Sequence, residues 1–392
     1  MTEDPPPAPP LSSDPAPTRR RRSGLRRRPP FRIGDLEVRA GRRETGELPV
    51  PRLVTGTRIS LPLRVVHGRH EGPTIWISSS IHGDEIGGVE IIRRVNEDLD
   101  PRSLAGTVIM VPIVNVHGFL VGDRYLPDRR DLNRSFPGSA TGSLASRIAH
   151  VFMEEVVARS DVGIDLHTGS DHRTNLPQVR GDLDDPRTRD LAEAFGAPVM
   201  LHARVRDGSL RAAGTAAGKT VLLFEGGEAL RFDPQAITAG VDGIHRVLAR
   251  LDMDSGVEVA PPPVPVASRK SAWIRARRSG IVSLDVALGD RVAKGERVAV
   301  VHDSLGRRLS QARARFDGII IGHTQHPLGH QGDALVHVAR IADLDEHDGA
   351  DGPPGVPPAP DRTTEPTSDP RTTDPDTTTD RTTTDRPEPD SP

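Results

Sequence analysis

Apolar residues gather in runs and stripes between about residue 31 and residue 345 and thin out on either side. Residues 74–80 (TIWISSS), 107–116 (TVIMVPIVNV), 162–166 and 220–224 are apolar-rich runs of strand length, which predicts strands buried on both faces. Between them, apolar positions recur at helical spacing. Val89, Ile92 and Val95 mark one face of 86–99; Ile148, Val151, Phe152 and Val156 mark 144–157; Ile237, Val241, Ile244 and Val247 mark 234–251. Strands alternating with helices predict an α/β layered domain over 31–259. Beyond it the pattern shortens to β-type runs at 280–286, 297–302, 318–324 and 334–339, separated by Gly-Asp, Lys-Gly and Leu-Gly turns. That predicts a small all-β barrel or sandwich over 270–345. The prolines of 260–269 read as a linker, because they stiffen the chain and donate no backbone hydrogen bond.

Composition sharpens this division. Gly 38 and Pro 37 together make 75 of 392 residues while hydrophobic residues reach only 35%, so polar low-complexity tails are expected beside a folded body. Residues 1–30, rich in Pro and Arg, and 346–392, built from Thr, Asp, Pro and Arg, have too little to bury to offset ordering entropy and are expected to be disordered. The net charge of -3 also divides unevenly. Residues 1–33 hold eight Arg against Glu3, Asp4 and Asp14, whereas 346–392 hold twelve acids against four Arg, which leaves the middle neutral. A body of that balance predicts neither a nucleic-acid nor a membrane partner. No apolar run approaches the length of a membrane span and none follows Arg19–Arg22 to make a signal peptide, so the expected location is cytoplasmic. The sequence leaves homo-oligomerisation open.

With Cys 0, metal or acid–base chemistry falls to His, Asp and Glu. Ile81-His82-Gly83-Asp84-Glu85 follows the 74–80 run directly, at the strand-to-loop transition where α/β folds collect ligands. His82 and Glu85, three apart on a turn, can aim an imidazole and a carboxylate at one point, a pairing that suits zinc, although a turn histidine beside a helix-start acid gives the same pattern. Asp165-Leu166-His167-Thr168-Gly169 puts a second histidine at a strand end, so His167 could complete a two-His, one-carboxylate set with a position open for water, and Asp165 could orient an imidazole. Leu222-Leu223-Phe224-Glu225-Gly226-Gly227 offers Glu225 as a base for that water. Residues 124–138 form a loop by composition, with Arg124, Arg129, Arg130 and Arg134 in eleven residues; guanidinium forks there suggest an anionic substrate. His172 is retained as a candidate pocket residue, while His117 and His202 read as structural.

In series, His82-Gly83-Asp84-Glu85, Asp131-Leu132-Asn133-Arg134, Asp165-Leu166-His167-Thr168-Gly169 and Phe224-Glu225-Gly226-Gly227 resemble the succinylglutamate desuccinylase/aspartoacylase family, relatives of the zinc carboxypeptidases, over about 45–252. The resemblance implies a central mixed β-sheet flanked by helices and one Zn2+ per chain held by His82, Glu85 and His167. It implies Glu225 as the residue that activates water, Asn133 and Arg134 on a substrate carboxylate, and an upstream arginine that polarises the scissile carbonyl, for which Arg124 is the candidate against Arg129 and Arg130. A further carboxylate-binding arginine should precede the glutamate; Arg211 fits, with Arg180 as its rival. The corner turn at 286–296 is similar to a biotinyl/lipoyl-type β domain, but the hairpin around Ser304–Arg307 carries no acceptor lysine, so a structural role is expected. The expected activity is amide hydrolysis of a small anionic N-acyl amino acid or related carboxylated compound. Carboxypeptidase-like or ester hydrolysis at the same site, and a non-catalytic zinc and anion-binding module, are the alternatives.

Overall fold

A computed structural model describes residues 28–341 except 53, 54, 171, 204, 254 and 255. The two expected disordered tails lie outside the described residues, save for residues 28–30. The centre is a sheet of 13 strands whose main path runs Ser271–Arg275, Ala334–Arg340, Gly318–Thr324, Arg173–Gly181, Thr220–Glu228, Val162–Gly169, His70–Ser79, Ala105–Val111, Ile59–His67 and Arg42–Val50. Thr220–Glu228, Val162–Gly169, His70–Ser79 and Ala105–Val111 pair in parallel, and antiparallel strands extend both sides. The fold is therefore the α/β layered domain that the runs and stripes predict, built on the central mixed sheet that the resemblance implies.

The parallel strands are buried on both faces, and their side chains alternate between two cores. Ile75, Ile77, Val108 and Met110 pack with helices Gly87–Asp98, Pro186–Phe195 and Pro234–Arg250, while Trp76, Ile109 and Val111 pack with helix Leu144–Phe152 on the opposite side. Trp76 needs a glycine beside it. Gly163 is its register partner, and a Cβ there would approach the indole within 2.0 Å.

Several elements differ from their predicted extents, and two of them also change character. The 107–116 run ends as a strand at Val111, because Pro112 has no N–H for a ladder and Asn115 then accepts from the Gly118 N–H to start helix Val116–Val121. The 144–157 stripe is a helix to Phe152 and a π-helical turn over Met153–Val157. Strands Arg42–Val50, Ile59–His67 and Arg173–Gly181 and helix Pro186–Phe195 carry no strong periodic signal and emerge only from the structure. Among the described residues, no helix is long and apolar enough to cross a membrane.

Some of the C-terminal strands join the main sheet, while Arg308–Arg313, Arg297–His302, Gly280–Leu284 and Leu328–Gly329 form a separate sheet of four. Gly322, His323 and Thr324 pair antiparallel with Asn175, Thr174 and Arg173, so strand Gly318–Thr324 lies against the strand that borders Thr220–Glu228. Next to it, His337 is buried and stacked on Trp273 with ring centroids 4.5 Å apart; Nε2 is 3.0 Å from the Ser271 hydroxyl. Burial, reinforced by Arg180 and Arg173, pushes His337 down to about 3. Its neutral form is thus favoured on folding, and stability from this group is lost as pH falls below the ordinary histidine value of about 6.5. Between pH 7 and pH 5 the loss should reach about 2 kcal/mol. Thermal melts of wild type and His337→Gln across that interval check this: the wild type should lose more stability, and parallel curves would refute the assignment.

Candidate active site

The site lies at the carboxyl ends of the parallel strands, where loops leave the sheet. After Ser79 the chain turns sharply; Ser80 takes a left-handed φ of 51° and its hydroxyl donates to the Glu85 carbonyl at 3.2 Å. Gly83 is required for a packing reason, since a Cβ there would fall 2.0 Å from the Gly118 carbonyl carbon. This close approach presses the His82–Glu85 turn onto helix Val116–Val121.

Glu85, 2% exposed, lies between two imidazoles: His82 Nδ1 is 2.7 Å from Oε1 and His167 Nδ1 is 2.7 Å from Oε2. The far nitrogens are also engaged. His82 Nε2 is 3.3 Å from Asp131 Oδ1, and His167 Nε2 is 2.8 Å from Asp165 Oδ2, whose other oxygen accepts from Ser78 at 2.9 Å. Burial alone would raise Glu85, but the two histidines reverse this and hold its carboxyl well below the usual range. Burial likewise opposes charge on His167, and Asp165 and Glu85 overcome it and raise the imidazole well above its ordinary value. Asp84, buried and beside charged Glu85, is pushed up to about 6.

His82, Glu85 and His167 each offer one ligand atom within 4.8 Å of the others, so they form a group able to hold a metal ion. The donor set fits zinc: two imidazoles turn Nδ1 toward the two oxygens of one carboxylate, and further carboxylates on each Nε2 fix their orientation.

The Asp131–Arg134 turn closes one side. Asp131 caps it by accepting from the Asn133 N–H at 2.8 Å, while buried Leu132 anchors it to the core. Arg124 donates to Asp131 at 3.0 Å, to Glu85 at 3.3 Å and to the Ser170 hydroxyl at 3.2 Å. Arg134 donates to the Asn133 carbonyl and lies 4.0 Å from Asp131; burial and neighbouring Arg206 and Arg124 lower it. Arg129 and Arg130 are exposed.

Glu225 is the register partner of His167 in the parallel pair. Asn175 Nδ2 donates to its Oε2 at 2.7 Å, and Arg180 Nη1 is 3.5 Å from its Oε1. Arg211 is buried, donates to the Ala203 carbonyl at 2.7 Å, and is lowered to about 10 by burial and by nearby Arg180. The structure thus joins His82, His167 and Arg124 through Glu85, and His82, Arg124 and Arg134 through Asp131, with Glu225 and Arg180 one strand away. Asp131 and Asn175 went unassigned in the sequence; Asp131 was signalled by its place before Asn133-Arg134, whereas Asn175 had no local signal. His172 faces His326 in the loop after strand Gly318–Thr324, with ring centroids 5.3 Å apart.

The succinylglutamate desuccinylase/aspartoacylase catalytic domain family matches residues 71–251. An N-alpha-acetyl-L-2,4-diaminobutyric acid deacetylase from Halomonas elongata is 30% identical over 299 residues, covering 73% of this chain and 87% of the relative. A succinylglutamate desuccinylase/aspartoacylase structure from Rhodobacter sphaeroides superimposes with a TM-score of 0.68 at 27% identity, over 80% of this chain and 100% of that one. The product-bound ectoine utilization protein EutE (DoeB) from Ruegeria pomeroyi shares the fold, with a TM-score of 0.69 at 24% identity over 76% of this chain and 95% of its own. Fold and relatives together define a hydrolase of the deacylase class. The chain belongs to the succinylglutamate desuccinylase/aspartoacylase family.

Asn133 also has a structural duty. Its Oδ1 accepts from the Leu210 N–H at 2.9 Å, one of the donors left without a partner at the start of helix Leu210–Ala216. Asn133→Ala strands that buried donor and should lower stability by about 1–3 kcal/mol, read as a lower urea midpoint at unchanged slope. Asn133→Asp keeps the acceptor and should retain most of the midpoint.

Proposed function

We propose that this protein is a zinc-dependent deacylase that hydrolyses the amide bond of a small N-acyl amino acid or related carboxylated compound. The observation that carries this reading is the convergence of His82, Glu85 and His167 within 4.8 Å, with Glu225 opposite His167 on the neighbouring strand. Zinc held by those three residues would supply the Lewis acidity that polarises an acyl carbonyl and acidifies water.

The side chains account for the remaining chemistry. Glu225 takes the proton from the attacking water and returns it to the leaving amine. Arg124, within reach of Glu85, donates to the oxygen on which negative charge develops. Asn133, whose oxygen is occupied by Leu210, has its NH2 group left for a substrate carboxylate, and Arg134 stands beside it with a guanidinium fork. Arg180 and Arg211 supply further positive charge on the Glu225 side, which suits an anionic substrate. We read the C-terminal strands as a structural module of biotinyl/lipoyl type rather than a carrier, since strand Gly318–Thr324 is hydrogen-bonded into the main sheet. We assign the protein to the cytoplasm, with no nucleic-acid or membrane partner.

Purified protein should contain one zinc per chain, and chelation should lower both turnover and melting temperature, because an ion bound only by the folded state stabilises it. Protein free of metal and indifferent to chelators would sink the reading. A panel of N-acyl amino acids that includes N-alpha-acetyl-L-2,4-diaminobutyric acid, assayed by free amine release, tests the substrate class; release of C-terminal residues from peptides instead would assign a carboxypeptidase-like activity. Glu225→Gln should keep its zinc while turnover falls by about 10²–10⁴-fold; full turnover would remove Glu225 from the mechanism.

A further inference from the structure

We propose that Asn175 is the positioning residue for Glu225, and that Gly322 of the C-terminal strands sets Asn175 in place. The inference rests on Glu225 as the proton carrier of the reading above.

Glu225 sits where the sheet loses its regularity. Its pairing with Arg173–Gly181 shifts between Glu225 and Gly227, and its pairing with Val162–Gly169 shifts between Glu225 and Glu228. Beyond it the ladder resumes only in a shifted register, at Gly227 and Glu228, so Glu225 sits at the edge of the irregularity. Two groups of the neighbouring strand engage the carboxylate: Asn175 Nδ2 at 2.7 Å on Oε2 and Arg180 Nη1 at 3.5 Å from Oε1. Only the amide is at close hydrogen-bond distance, and it holds Oε2, while Oε1 has the longer ion-pair approach of Arg180. An amide also adds no charge, so it orients the base without neutralising it.

The orientation of Asn175 is itself determined. An ionised carboxylate only accepts, so the amide nitrogen must face Glu225 and the carbonyl oxygen must face away. Away lies Gly322, its register partner on strand Gly318–Thr324. A Cβ on Gly322 would stand 2.8 Å from Asn175 Oδ1 and 3.2 Å from the Thr174 carbonyl oxygen, with the His337 Cβ at 3.6 Å. No side chain fits there without displacing the amide or the strand. The pairing of Gly318–Thr324 with Ala334–Arg340 shifts between Ile320 and Gly322, so the glycine also lies at an irregular point. Asn175 is 6% exposed, and is thus enclosed between the base and a strand some 150 residues further along the chain. Through the backbone pairing of Gly322 with Asn175, a strand beyond the matched region 71–251 borders the residue that holds the base.

Crystal structures and kinetics of full-length, zinc-loaded Asn175→Ala and Gly322→Ala decide the matter. In wild type the Glu225 carboxylate should occupy one position, and in both variants it should shift or split. With the N-acyl amino acid that wild type hydrolyses, Asn175→Ala should lower kcat by roughly ten- to a hundred-fold, the effect of losing a hydrogen bond to a charged group, with KM little changed. The same substitution in a Glu225→Gln background should cost nothing further, because a residue that works through Glu225 has nothing left to position. Glu225 unmoved in folded Asn175→Ala overturns the inference, and so does a raised KM at constant kcat, which would make Asn175 a substrate ligand. If Glu225→Gln alone keeps its turnover, the deacylase mechanism fails, while the crystal structures still report whether Asn175 holds Glu225.

Discussion

A carboxylate with almost no access to water has to be compensated within the protein, and Glu85 is compensated by His82 and His167 at 2.7 Å on either oxygen. Those imidazoles cannot drift, because Asp131 and Asp165 engage their opposite nitrogens. Asp165 is held in turn by Ser78 on the adjacent strand, and Asp131 caps the turn that carries Asn133 and Arg134. A local charge balance at one buried acid thus propagates outward until it fixes two strands, one turn and one arginine. The alternating positive and negative groups also explain why Glu85 lies low and His167 high, although burial opposes charge on both.

The framework beneath is the parallel register. Ser78 lies opposite Asp165 and His167 lies opposite Glu225, so residues more than fifty positions apart meet at one height above the sheet. A shift of one residue would turn each of these side chains to the other face. Full burial of Ile75, Trp76, Ile77 and Ile164 between two helical layers resists such a shift, since their alternation matches two separate cores. Hydrophobic patterning and site geometry are in this sense one constraint.

That connection explains which parts were legible in the sequence. Runs at 162–166 and 220–224 and stripes at 86–99 and 234–251 announced the α/β centre because both faces of those strands are buried, and His82, Glu85, His167 and Glu225 were legible because each follows such a run. Strand Arg173–Gly181 was not legible: RTNLPQVRG mixes charge, amide and proline, and it becomes a strand only because Thr220–Glu228 lies on one side and Gly318–Thr324 and Val199–His202 lie on the other. Asn175 was hidden with it, since nothing local marks its meeting with Glu225. The arginines were readable as a cluster but not as individuals. Arg124 reaches inward to Glu85 and Asp131, whereas Arg129 and Arg130 remain exposed, a difference of loop geometry that composition does not carry.

Strand Arg173–Gly181 shares its outer edge between two partners, with residues 173–175 bonded to Gly318–Thr324 and residues 178–181 to Val199–His202. A fragment ending after helix Pro234–Arg250 would leave the first of these segments with unmatched amides and carbonyls beside Glu225. Such a raw margin invites stray intermolecular pairing. The N-terminal portion is therefore poorly suited to transplantation as a free-standing cassette, and recombination within this lineage would have to carry the later strands along with it.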